Sequence, residues 1–138
     1  MKMHTTNYKN TFIEIAEDCN LLKSEIPPLK RNKTLANMQY EIISENPYQY
    51  TSDEVMLECF FLKNDILENE KDAAKKNFFS KGQPCFRSSA LCKRYGFGIH
   101  HNEKEKISIF PLESKEYENF LKDNSVKKVK AMRSKRSI

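Results

Sequence analysis

The chain has 138 residues, 38% of them apolar and 31% charged, with a net charge of +5. That length suits one domain, and that balance suits a folded chain with a polar surface rather than a disordered one. The longest apolar run, Cys59-Phe60-Phe61-Leu62, falls far short of the ~18 residues a membrane span needs. No transmembrane helix or membrane partner is therefore expected, and because residues 1–7 lack the apolar stretch of a secretory leader, the expected compartment is the cytoplasm.

Residues 10–16 alternate through Phe12, Ile13 and Ile15 as a strand does. Pro27 and Pro28 make residues 23–33 a loop. Thr34 then reads as an N-cap, with Leu35, Met38, Ile42 and Ile43 on one helical face and Asn46-Pro47 as the stop. In the next segment two signals compete. Thr51-Ser52-Asp53-Glu54 has the form of a capping box, while Val55, Leu57, Cys59 and Phe61 alternate; the short aromatic-rich stretch favours a strand. Residues 66–80 form a helix with an Asp72–Lys76 pair at i,i+4, closed by Gly82 in a left-handed conformation. Ser88 or Ser89 caps a short helix through Leu91 and Arg94, stopped by Gly96. Residues 97–101 and 107–110 are two strands, Ser114 caps a last helix, and residues 126–132 form a lysine-rich edge strand. The sum is an α+β single domain over residues 1–138, with a largely antiparallel sheet of about five strands covered by three to four helices.

Three glycines write neither a Walker loop nor a dinucleotide fingerprint. Cys19, Cys59, Cys85 and Cys92 contain no C-x-x-C pair, so they do not read as a zinc knot; Cys59 reads as core. His101-Asn102-Glu103 is half of a zinc deaminase signature, but Pro84-Cys85 precedes it and the spacing fails. No metal ligand set and no cofactor are assigned. Catalysis by Cys85 or His100 has the least support, since no orienting carboxylate accompanies them.

The positive charge is concentrated. Beyond residue 121 stand Lys122, Lys127, Lys128, Lys130, Arg133, Lys135 and Arg136 against Asp123 alone, so the remainder of the chain is close to neutral. This tail reads first as a solvated edge, and alternatively as a nucleic-acid contact with steep salt dependence. Within the body, residues 80–101 carry Lys81, Arg87, Lys93 and Arg94 and no acid. If Ser88 or Ser89 caps a helix there, its N–H groups and Arg87 suit a phosphate or carboxylate. The expected site is Arg87, Ser88, Ser89, Lys93, Arg94 and His100, converging on a small anionic ligand or an acidic partner.

The run from Phe78-Phe79-Ser80-Lys81-Gly82-Gln83 through Arg87-Ser88-Ser89 to Lys93-Arg94-Tyr95-Gly96-Phe97-Gly98-Ile99-His100 resembles a small bacterial family of uncharacterised proteins, classed as a domain of unknown function. His4-Thr5-Thr6-Asn7-Tyr8, Asn46-Pro47-Tyr48, Tyr50-Thr51-Ser52-Asp53 and Lys130-Ala131-Met132-Arg133-Ser134-Lys135-Arg136 share in the resemblance. Phe97 stands where that family usually has tryptophan, and Ala90 where it often has proline. The resemblance implies a single-domain cytosolic bacterial protein and brings no substrate, cofactor or catalytic residue with it.

Overall fold

Where the chain can cap its own free N–H groups, it starts a helix. In the computed structural model, which describes residues 3–135, Thr34 opens α1 (Leu35–Glu45) and Thr51 opens α2 (Ser52–Lys63). Both are full capping boxes: each threonine hydroxyl accepts from the N3 backbone, and Asn37 or Glu54 accepts the threonine N–H in return. One such cap contributes about 1 kcal/mol. A single 3-10 turn, Glu68–Glu70, leads into α3 (Lys71–Phe79), Ser89 opens the one-turn α4 (Ala90–Lys93), and Ser114 opens α5 (Lys115–Lys122). Arg136, part of the expected basic tail, lies outside the described residues, as do Met1 and Lys2.

Three expectations are corrected here. The segment read as a strand is α2: its buried residues, Ser52, Val55 and Cys59, fall three and four apart on one helical face, while Leu57 and Phe61 are only half-buried. An alternation of apolar residues that is not an alternation of burial was no strand signal, and the capping box carried the true one. Nor is Gly82 left-handed. The end of α3 is held instead by Ser80, whose N–H reaches Lys76 O at 3.0 Å, and by the Gln83 amide, which donates to Phe78 O at 2.8 Å. The left-handed glycine is Gly96, φ +80°, just beyond α4. The ion pair beside α3 joins Lys71 to Glu68 at 3.0 Å rather than Asp72 to Lys76.

The sheet has four strands, β1 (Thr11–Glu14), β2 (Phe97–His101), β3 (Ile107–Pro111) and β4 (Lys127–Lys130), in the order β3-β2-β1-β4. β1 and β3 run antiparallel to β2, but β4 runs parallel to β1, so the sheet is mixed, with one strand fewer than expected. The missing strand is the one that became α2. β4 is an edge strand, as its lysines suggested. Pro111 closes the other edge strand, where a missing N–H does little harm.

Register assigns each strand residue to a face. Ile13, Ile99 and Ile109 align across one face, with Phe97, His101 and Ile107 beside them, and pack into the larger core with α1, α2 and α4. Phe12, Gly98, His100 and Phe110 take the other face, under Tyr117 and Phe120 of α5. Gly98 is required by this packing: a Cβ there would strike the Phe12 ring and lie 2.7 Å from Tyr117.

Candidate functional site

Of the six residues expected to converge, four do. Ser88, Ser89, Lys93 and Arg94 line a hollow of about 240 Å³ whose opposite wall is Leu35, Ala36 and Gln39 of α1. α4 is a single turn, so its cap and its end sit side by side, and α1 packs across both. Lys93 is half-buried and Arg94 exposed. Among the described residues neither forms an ion pair, and no carboxylate lines the hollow.

Ser89 is nearly inaccessible, and its hydroxyl is already committed. It accepts from Leu91 N at 3.2 Å as the cap and donates to Gln39 Oε1 at 2.6 Å. The expected reserve of helix N–H groups for an anion is thereby reduced by the cap itself. The Ser88 hydroxyl is turned to the thioether of Met132, 3.1 Å away, a weak acceptor.

Arg87 and His100 are placed elsewhere. Arg87 staples the edge strand: its Nε donates to Lys130 O at 2.7 Å, and its own carbonyl accepts from Met132 N at 2.7 Å. His100 lies across the sheet from α1 and α4. Its ring stacks on Phe120 with centroids 4.2 Å apart, and Nδ1 shares a hydrogen bond of 2.8 Å with the Tyr48 hydroxyl. Burial lowers the His100 pKa and raises that of Tyr48 to about 12, so a neutral imidazole faces a protonated phenol. Cys85, on the helix side, is thus separated from His100 by the sheet, and the two form no nucleophile–base pair.

The C-terminal cations are partly engaged as well. Lys130 and Arg133 face Glu17 at 3.4 and 3.5 Å, the Lys128 ammonium donates to Asp123 O at 2.6 Å, and the Ser134 and Lys135 amides donate to Asp18. Those backbone hydrogen bonds, Lys135 first, hold the Asp18 carboxyl below its ordinary range.

A second hollow of about 240 Å³ adjoins the first, and sequence reasoning missed it. It shares Leu35, Gln39, Ser88 and Ser89 with its neighbour and continues between α2, α3 and the 83–85 loop, walled by Met56, Cys59, Phe60, Phe78, Pro84 and Cys85. Burial pushes the Cys59 thiol up to about 12, which keeps it neutral. Cys85 Sγ and the Tyr8 hydroxyl share a hydrogen bond 3.3 Å long, and Tyr8, raised to about 12 chiefly by burial, stays protonated. Gln39 gave no signal in the sequence, because a polar residue on the buried side of α1 is conspicuous only once that side is known.

One family profile matches residues 3–137. The chain belongs to the family of unknown function DUF6157. No curated protein and no solved structure matches it significantly. The scattered segments through which the sequence suggested such a family are joined in space. Thr5 and Thr6 hydroxyls donate to Asp53 at 2.6 and 2.8 Å, and Asn7 Oδ1 accepts Asp53 N at 2.9 Å. Tyr8 meets Cys85, Tyr48 meets His100, and Arg87 and Ser88 meet Lys130 and Met132. In this DUF6157 chain much of the motif therefore acts as stapling between remote segments, while Lys93 and Arg94 line a hollow.

Proposed function

We propose that this chain is a single-domain binding module for a small ligand bearing a carboxylate or phosphate, held between α1 and α4. The observation that carries the reading is the placement of Lys93 and Arg94 on one concave surface that no acidic residue lines. A guanidinium and an ammonium converging on an anion give charge-assisted hydrogen bonds, about twice as strong as neutral ones. Arg87 is a structural staple in this reading and His100 is not part of the site. The pairing of Lys130 and Arg133 with Glu17 weighs against the alternative reading of a nucleic-acid contact.

The test is an NMR titration with inorganic phosphate and with acetate at constant ionic strength, in wild type and in a Lys93→Glu/Arg94→Glu variant. Saturable shifts at residues 88–94 in wild type, absent from the variant, are expected. Identical responses in the two proteins would overturn the reading.

A further inference from the structure

Resting on that reading, we infer that the ligand is an amphiphilic monoanion: its head sits at Lys93 and Arg94, and an apolar chain of about eight carbons runs past Gln39 into the hollow under Phe60 and Phe78. Four residues, Leu35, Gln39, Ser88 and Ser89, line both hollows, so the two are successive parts of one groove. The groove is polarised. Its α4 end has two cations, and its far part is walled mainly by Met56, Phe60, Phe78, Pro84 and two thiols, of which Cys59 is kept neutral, with Lys63, Asn64 and Gln83 beside them. A compact inorganic ion would leave that second part without a matching partner, while a plain hydrocarbon would leave the cations unmet.

The junction is chemically specific. Gln39 is only 2% exposed, its Oε1 is taken by Ser89, and among the described residues its Nε2 has a single partner, the Met56 thioether at 3.5 Å. A buried amide donor on so weak an acceptor favours an oxygen where head and chain meet, and a carboxylate supplies one. The far volume of about 240 Å³ holds on the order of eight groups of ~30 Å³, the volume of one liquid water molecule. Lys63 lines the distal end and defines the opposite orientation, which the test must separate.

The experiment titrates wild type with acetate, butanoate, hexanoate and octanoate below micelle formation, with inorganic phosphate alongside, and follows iodoacetamide alkylation of Cys85 by peptide mass spectrometry, with Cys19 as internal control. Each added methylene should tighten binding about fourfold from butanoate to octanoate, and octanoate should slow alkylation of Cys85 but not of Cys19. Lys93→Glu/Arg94→Glu should abolish octanoate binding, and Lys63→Glu should leave it. Plugging the far hollow of folded Cys19→Ser protein with a hexyl disulfide at Cys85 should remove the chain-length dependence and leave the phosphate response. Phosphate and acetate binding with no gain along the series would overturn this inference and leave the anion site standing. Loss of octanoate binding in Lys63→Glu alone would overturn it by reversing the ligand. No response to any anion would overturn both.

Discussion

His100 and His101 are adjacent on β2, yet they face different molecules in miniature. Under α5, His100 sits in an aromatic stack of Phe12, Phe110 and Phe120 and shares a hydrogen bond with Tyr48. Under α1, α2 and α4, His101 is wholly buried edge-on to Tyr8, and among the described residues neither ring nitrogen has a partner. One face satisfies its polar group with a neighbour. The other holds its imidazole neutral by exclusion of water, while a few residues away on the same side two cations stand at the rim of a groove. The contrast teaches that neighbours in one sequence motif meet different fates: His100 is paired, His101 is packed away, and Lys93 and Arg94 stay at a rim.

The largest expected effect tests the buried partner of that histidine pair. Burial first, and the nearby His100 second, lower the His101 pKa to about 4. The unfolded chain takes up the proton near 6.5 and the folded chain does not, so stability present above that pH is lost as pH falls from about 6.5 towards 4, by ~3 kcal/mol. Urea unfolding across this window should show the loss, and His101→Phe should retain a smaller slope, contributed by His100 and, towards pH 4, by Asp18, Glu113 and Asp123, whose pKa values are also lowered. Parallel curves for the two proteins would refute the assignment.

Next in size is the packing under α5. Gly98→Ala places a methyl group against Phe12 and Tyr117 and should cost about 2 kcal/mol by overpacking, read as a lower urea midpoint with an unchanged slope. A smaller effect probes the groove face: Ser89→Ala removes the α4 cap and leaves Gln39 Oε1 unpaired, at about 1.5 kcal/mol. The smallest separates staple from rim. Arg87→Ala should lose about 1 kcal/mol and speed hydrogen exchange in β4, whereas Lys93→Glu/Arg94→Glu should stay within about 0.5 kcal/mol of wild type. Equal losses in these two variants would erase the distinction drawn between them.

Much of the helix map was legible because its signals are local. Thr34, Thr51 and Ser114 each bind a backbone N–H three residues ahead, a relation contained in four consecutive positions. The misreading of α2 came from trusting apolar alternation over the cap that preceded it. The site was half legible. Residues 87–94 were found by their charge and serines, but the division between Arg87 and Lys93/Arg94 depends on where Lys130 lies, 43 positions from Arg87.

What short-range chemistry in the chain determined, then, is where the side-chain-capped helices begin, which strand would be a charged edge, and that the cations of residues 80–101 are unaccompanied by acids. Only the tertiary structure decided that β4 joins β1 in parallel, that His100 and Cys85 are divided by the sheet, and that Gln39 links a basic hollow to an apolar one. The reason is physical: a cap needs four residues in a row, while a groove needs α1, α2, α3 and α4 to pack against one another, and which sides meet is set by the burial of the whole core.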